Sequence, residues 1–409
     1  MKTNPRPRLS TYAWPVIAVA LTVSMVLYPE DAFAAAVKGL DVWWNIVFPA
    51  LLPFFIGSEL LMGLGVVHFM GVLLEPLMRP VFNVPGVGSF VMAMGLASGF
   101  PIGSILTAKL RRDELCSKVE GERLMSFTNT ADPLFMFGAV AVGMFGYPQI
   151  GITIAIAHYL SSLSTGIMLR FYGRTQANSP ETAGKGHILV RAVSALDNAR
   201  RKDNRPMGQL LGDAIRNSVN TLLLIGGFII LFSVIIRIMT VAGIVGIFSS
   251  AVTWLLAPFG MNPALTPAII SGMFEVTLGS QLAGQAPATV PMMQKVMVAS
   301  AIIAWSGLSV HAQVASIISG TDMKIAPFVI ARFVHAIQAA FFVWLLMEPL
   351  APLIALGTPV FAHLQPFGEM PVWQKTIRMG WLFICLTIGL IVLGLSLGAL
   401  RKIKIIFWR

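Results

Sequence analysis

Between Ser218 and Met239 the chain reads SVNTLLLIGGFIILFSVIIRIM, 22 residues with a single charge, Arg237. A stretch of that length and apolarity matches the hydrocarbon core of a bilayer, which takes ~20 helical residues to cross. With no water in that core, backbone N–H and C=O groups have to be satisfied within the chain, and helices are the form that does so locally. Ala13–Tyr28, Val42–Met62, Ile150–Arg170, Pro327–Leu346 and Ile377–Leu400 repeat the pattern. Only 11% of the 409 residues are charged and 56% are hydrophobic, whereas a soluble domain carries roughly 25% charged residues. The expected fold class is therefore an all-α polytopic membrane protein, with room for about six to nine apolar segments of spanning length.

The net charge of +11 does not point to nucleic acid. Its basic residues fall in the gaps between apolar segments, where topology and lipid-surface contact account for them, and no nucleic-acid recognition motif accompanies them. The lipid bilayer is the expected partner. Cys116 and Cys385 lie in a charged loop and in an apolar segment, which builds neither a disulfide framework nor a metal cluster. HExxH and GxxxxGK[ST] are missing from the sequence, and no nucleophile–base or metal-ligand set stands out. The expectation is no cofactor, no metal and no enzyme activity. At the N-terminus, Lys2, Arg6 and Arg8 precede the first apolar stretch, and AFAA at 32–35 resembles a signal-peptidase site. The near-spanning length of Ala13–Tyr28 favours an uncleaved first membrane helix.

Several of the apolar segments are interrupted where a membrane helix gains nothing from it. SGFPIGS (98–104) divides Pro85–Leu110, and TNTADP (128–133) divides a segment that starts near Ser117 and runs towards Phe145. Ser117-Lys-Val-Glu120 fits a capping box that would start that helix. Gly146-Tyr-Pro-Gln149 reads as a turn, and residues 171–216 as a long basic loop. SGMFEVTLGS (271–280) then divides Pro263–Gln285, and SGLSVHAQ (306–313) divides Met292–Ile318. Glu30, Asp31 and Asp41 suggest an acidic connector before the second span, and Trp43-Trp44 suits an interfacial belt.

The positive-inside rule tests how these segments cross. If Pro85–Leu110 dips in and returns on the same side, the N-terminal basic residues, RRDELCSKVEGER (111–123), the basic loop and the C-terminal Arg401, Lys402, Lys404 and Arg409 all fall on one face. Full crossing would put the long basic loop outside. The charges thus favour a re-entrant hairpin, cytoplasmic termini and about eight membrane helices with two such hairpins. Ser98-Gly99 and Ser271-Gly272, and His158 and Arg332, match at similar offsets. The order of elements predicts an inverted-topology repeat, a feature of secondary transporters. The expected organisation is a membrane helix and connector over 1–41, repeat units over 42–170 and 217–348 flanking the basic loop (171–216), and a connector with a final helix over 349–409.

In such repeats the broken helices meet near the midplane, where half-helix ends bind polar solutes. Candidate solute-binding residues are Ser98, Gly99 and Ser104 at the first break and Thr128, Asn129, Thr130 and Asp132 at the second. Ser271, Glu275, Thr277 and Ser280 (with Gln281 nearby) lie at the third, and Ser306, Ser309, His311 and Gln313 at the fourth. Asp132 and Glu275 have two compatible readings: ligands for a proton, a cation or a donor group, and caps on half-helix N-termini. Arg332, inside an apolar span, calls for an anionic partner. Asp132 and Glu275 are the ones available, and contact with an anionic solute is the other reading. Glu59, inside the second span, is open between pocket and packing roles.

WWNIVFPALLPFFIGSELL (43–61), SGFPIGS (98–104), ERLMSFTNTADPLFMFGAVAVGMFG (122–146), AHYLSSLSTG (157–166) and SGMFEVTLGS (271–280) resemble the sporulation integral membrane protein family YlbJ. That family is grouped with proteins carrying the nucleoside-recognition, or gate, domain. The resemblance implies the gate fold of concentrative nucleoside transporters: two inverted units, each with a re-entrant hairpin and a broken helix. It also implies a location in the outer forespore membrane of an endospore-former and transport of dipicolinic acid, a small planar anion. A nucleoside-like solute and a non-transporting scaffold for spore-envelope assembly are the alternatives. A coupling ion (proton or sodium) and a homo-oligomer are left open.

Overall fold

A computed structural model of the chain describes residues 9–173 and 187–347. The expected final helix Ile377–Leu400 and its basic tail lie outside the described residues. Among the described residues all regular structure is helical. Helix α1 is Leu9–Leu27. Helices α2 (Pro29–Val42) and α3 (Phe48–Gly63) run on through a π-helical turn, Trp43–Val47, as one rod of 35 residues. Next come α4 (Val66–Leu77), α5 (Gly88–Ser98), α6 (Ile102–Arg112), α7 (Lys118–Thr128), a π-helix (Phe135–Met144) and α8 (Ile150–Leu169). The second half holds α9 (Ile188–Asp203), α10 (Met207–Val241), α11 (Ile244–Leu256), α12 (Thr266–Phe274), α13 (Val276–Gly284), α14 (Met292–Trp305), α15 (Gly307–Ile318) and α16 (Ala326–Met347).

The order of elements occurs twice. A 35-residue rod (α2–α3, then α10) leads to a short helix (α4, α11), a pair of short helices (α5–α6, α12–α13), a broken helix (α7 and its π-helix, α14–α15) and a closing helix (α8, α16). Five described segments are long and apolar enough to cross a membrane: Pro29–Gly63, Ile150–Leu169, Met207–Val241, Met292–Ile318 and Ala326–Met347. The largest apolar core draws on both halves. Val47, Leu51, Met136, Ala139, Ile154 and Ala157 pack with Leu222, Ile229, Val296, Ala299 and Ile303. Alanine at several of these positions lets helix backbones approach closely, which is how helices associate in lipid. Trp254, Phe259 and Ile247 lie on the outer surface, an apolar exterior suited to lipid.

Two segments read as connectors are helices. Residues 29–41 form the start of the first rod. Pro29 stands at the first helical position and Glu30 and Asp31 fall in the first turn, where missing N–H donors do no harm and negative charge favours the helix dipole. Asp31 also pairs with Arg237 of α10 at 2.6 Å. Within 171–216, α9 ends with Arg200, Arg201 and Lys202 in its last turn and Asn204 in a left-handed cap, both favourable at a helix C-terminus. Its Arg191 pairs with Glu75 of α4. Helix α10 starts at Met207, eleven residues before the apolar stretch. Of the Trp43–Trp44 pair only Trp44 is open to the surroundings. Trp43 is buried and donates its indole N–H to the Leu222 carbonyl at 2.8 Å, while Trp44 is exposed.

Candidate functional site

The first pair of breaks is held together by backbone contact. Helix α7 stops at Thr128, and residues 129–132 are non-helical before the chain re-enters a helix that continues as the π-helix. Asp132 starts that second half: its Oδ1 accepts the N–H groups of Leu134 at 2.9 Å and Phe135 at 2.8 Å. The carboxylate also lies against the α5–α6 tip. Gly99 there has φ +71°, and a Cβ on it would come 2.7 Å from Asp132 Oδ2. A larger residue at Gly99 would be strained and would displace that oxygen. The two limbs of the hairpin grip the end of α7 through Gly95 and Gly103, where a Cβ would lie 2.0 Å and 2.5 Å from the Thr128 carbonyl oxygen.

The second half repeats the arrangement with tighter breaks. Glu275 is the one residue between α12 and α13, extended, and its Oε2 accepts the Leu278 N–H at 2.8 Å. The break expected over 306–313 is confined to Ser306, which adopts φ +69° between α14 and α15. Residues 307–313 return to helix because Gly307 takes φ +76° and so admits the sharp turn. A Cβ on Gly307 would lie 2.9 Å from the Phe274 carbonyl oxygen and 3.1 Å from Glu275 Cα. In each half, then, a glycine with positive φ brings one break against the other, onto the Asp132 carboxylate in the first half and onto the Phe274–Glu275 backbone in the second.

Both carboxylates face one cavity of about 90 Å³, several times the ~10–15 Å³ that a single water requires. Of the candidates read from the sequence, Asp132, Glu275, Thr277, Ser309 and Gln313 line it. Phe55, Phe100, Phe135 and Phe228 supply aromatic walls, and among the described residues none of the lining is Arg, Lys or His. The remaining candidates lie outside the lining. Thr128 and Thr130 donate their hydroxyls to the Leu124 and Gly95 carbonyls at 2.7 Å and 3.2 Å, and Ser306 donates to that of Trp305. His311 bonds the Gly307 carbonyl through Nδ1 at 2.7 Å. Ser98 closes α5, and Ser271 is buried in α12. Ser104 Oγ, both amide atoms of Asn129 and Ser280 Oγ are buried without a hydrogen-bond partner among the described residues.

Thr221 and Phe228 on α10 join the lining and were not singled out from the sequence. With Leu224 and Ile225 they fall at i, i+3, i+4 and i+7, one face of a helix. That spacing is a usable signal. It is masked because the other faces of α10 are apolar as well.

Arg332 is fully buried, but its partners are not carboxylates. Nη1 donates to the Asn129 carbonyl at 2.8 Å and Nη2 to that of Ser126. Those carbonyls end α7, where the helix dipole is negative, so the cation caps a half-helix C-terminus. Glu59 accepts from Asn217 at 3.2 Å. His158 uses Nε2 to accept the Ala131 N–H at 3.1 Å and meets His335. The His335 ring lies 4.7 Å away and its Nε2 donates to the His158 carbonyl at 3.0 Å.

The N-terminal end of α7 is a second polar centre, of which the sequence shows the capping box and the surrounding charge but not the partners. Ser117 and Glu120 form the expected capping box, at 3.3 Å and 2.8 Å. Glu120, Glu122 and Arg123 are then buried in the following turn. Arg79 pairs with Glu120. Glu122 accepts the Tyr172 hydroxyl and the Lys324 N–H, each at 2.8 Å, and Arg123 donates to the Asn83 and Tyr172 carbonyls at 2.8 Å and 2.9 Å. Arg111 reaches across the chain to Asp322 with two bonds, 2.8 Å and 3.1 Å. Burial pushes the neighbouring Cys116 thiol up to about 12, which leaves it protonated and inert.

Broken helices paired around a shared cavity, among segments long and apolar enough to cross a membrane, describe a multi-pass, all-helical membrane protein. The family model described as "Gate: Nucleoside recognition" matches residues 45–173 and 222–323. The sporulation integral membrane protein YlbJ of Bacillus subtilis (strain 168) is 49% identical over 334 residues, 81% of each chain. The chain therefore belongs to the gate-domain proteins and, within them, to the YlbJ family of sporulation integral membrane proteins. Among solved structures, CNTnw in an inward-facing substrate-bound state is 14% identical, with 80% of this chain and 86% of that one covered at a TM-score of 0.45. An outward-facing variant of CNTnw is 15% identical, with 82% and 83% covered at a TM-score of 0.42.

Proposed function

We propose that the chain is a carrier that moves a small polar solute across the membrane, with the cavity between the two sets of broken helices as its solute site. The observation that carries this reading is the meeting of Asp132, from the first half, with Glu275, Thr277, Ser309 and Gln313, from the second, around one cavity. Elements of two structural repeats that share a polar site can rock about it and expose it to either side in turn. In this reading α5–α6 and α12–α13 are re-entrant hairpins within inverted units over 42–170 and 217–348. At 11 residues each, α5 and α6 extend about 16 Å, short of a hydrocarbon core of ~30 Å. The basic segments then share the cytoplasmic side with both termini.

The proposed cargo is dipicolinate, carried across the outer forespore membrane during sporulation. Support comes from the resemblance to the YlbJ family and from the aromatic walls of the cavity, which suit a planar ring. A nucleoside-like cargo is the second reading. It is favoured by the lining itself, since two carboxylates and no cation are a natural acceptor set for hydroxyl and N–H donors. Uptake of labelled dipicolinate and uridine by purified protein in liposomes separates the readings. Saturable dipicolinate uptake supports the first and uridine uptake alone the second. Flux of neither by folded protein would instead favour a scaffold role.

A further inference from the structure

Resting on that carrier reading, we propose that Asp132 and Glu275 take up protons as a dicarboxylate cargo enters the cavity and release them as it leaves, so that cargo and protons cross together. Among the described residues the lining holds two carboxylates and no Arg, Lys or His. A dianion placed there would set like charges against one another in a site of low dielectric, where neighbouring carboxylates do not both stay ionised. A proton between a lining carboxylate and a cargo carboxylate replaces that repulsion with a charge-assisted O–H···O bond. Each such contact takes one proton from the aqueous phase on loading and returns it on unloading. No other bond is made or broken.

The geometry leaves room for this contact. Asp132 Oδ1 holds the Leu134 and Phe135 N–H groups, while Oδ2 lies beside the hairpin tip at Gly99. Ser309, from α15, is 2% exposed and lines the same cavity. It is an independent polar group set for a ligand.

The other titratable groups around the breaks lie outside the lining and each has a bond of its own, while His158 Nδ1, His335 Nδ1, His311 Nε2 and Arg332 Nε are buried without a partner among the described residues. On α8, His158 binds the Ala131 N–H and Tyr159 donates to the Ala131 carbonyl at 3.3 Å. On α16, Arg332 holds the Asn129 and Ser126 carbonyls and His335 that of His158. On α15, His311 is bonded to Gly307, and on α3, Glu59 is bonded by Asn217. The α10 face contributes Thr221 and apolar groups. Among the described residues no three His, Cys, Asp or Glu side chains converge on a metal ion.

The test is dipicolinate uptake into liposomes holding the full chain and a trapped pH-sensitive dye, with membrane voltage clamped. The expected result is internal acidification in step with uptake, and an accumulation ratio that rises about tenfold per unit of outside-acid gradient for each proton carried. Asp132→Asn and Glu275→Gln keep an oxygen able to cap their half-helices. They are expected to retain the thermal transition of the parent protein and to flatten the pH dependence. Dipicolinate uptake without proton movement would overturn the proposal. Proton movement undiminished in both variants would also overturn it, because the protons would then ride on the cargo alone. Uridine flux without dipicolinate flux would overturn the dicarboxylate coupling but leave a carrier. No flux of either solute would overturn the carrier reading and the coupling with it.

Discussion

The two ends of α7 treat polar groups in opposite ways. At its N-terminal end Glu120, Glu122 and Arg123 are buried, and each has a named partner: Arg79, Tyr172 with the Lys324 N–H, and two backbone carbonyls. At its C-terminal end Asn129 is equally buried, yet neither its amide nitrogen nor its amide oxygen is bonded, and Ser104 nearby on α6 is in the same state. A buried polar group without a partner costs about 1–3 kcal/mol. The chain satisfies three charges within one helical turn and leaves the neutral Asn129 amide, six to nine residues on, without a partner among the described residues. The matched end fixes helices in place. The unmatched end adjoins the cavity where Asp132 and Glu275 meet, and polar capacity there is available to a solute.

This contrast can be broken by substitution. The largest effect is expected at the matched end. Arg79→Leu leaves Glu120 buried without its guanidinium, which should cost about 3–5 kcal/mol. Yield of monodisperse protein and its thermal transition in detergent should both fall sharply. Asp132→Ala comes next. It removes the cap on two N–H groups, for about 0.5–2 kcal/mol, and should abolish flux in liposomes, whereas Asp132→Asn should restore stability without restoring normal flux. Ser117→Ala removes half of the capping box for about 1 kcal/mol. Flux per folded molecule should not change, because that cap lies at the structural end.

The smallest effect is expected at Arg111–Asp322, a pair open to solvent. Arg111→Gln should cost about 0.2–1 kcal/mol. The Arg111 guanidinium holds the Asp322 carboxyl below its ordinary value of 3.8. The pair's contribution is therefore present above that pH and is lost only as pH falls through the lowered value. Melting of parent and variant between pH 5 and 8 should run parallel, with the gap closing only under stronger acid.

What could be read from the sequence follows from the distance between partners. Ser117 and Glu120 sit three residues apart, so their capping box was visible as a pattern. The breaks were visible because Gly, Pro, Asp and Glu stand out within apolar segments. Arg332 and the carbonyl of Asn129 are 203 residues apart, and Glu122 and the Lys324 N–H 202 apart. No local pattern links such pairs, and so Arg332 was matched to the wrong partners and Glu122 to a solvated loop. The start of α10 was missed for another reason. Its first eleven residues are polar enough to lie beyond the bilayer, so hydropathy marks the membrane part of the rod and not its helical extent. The cavity face of α10 was hidden because lipid accepts apolar side chains on the remaining faces too, which removes the amphipathic contrast that reveals a buried face in water.

The central claim is that Asp132 and Glu275 border the solute site while the buried carboxylates at the other end of α7 do not. Equilibrium binding of dipicolinate to detergent-purified protein tests it with two matched changes, Glu275→Gln and Glu122→Gln. The account predicts that Glu275→Gln shifts the dissociation constant about tenfold or more, the equivalent of one lost charge-assisted contact. Folded Glu122→Gln should bind as the parent does. Unchanged binding in Glu275→Gln, with the shift appearing in Glu122→Gln instead, would contradict the account.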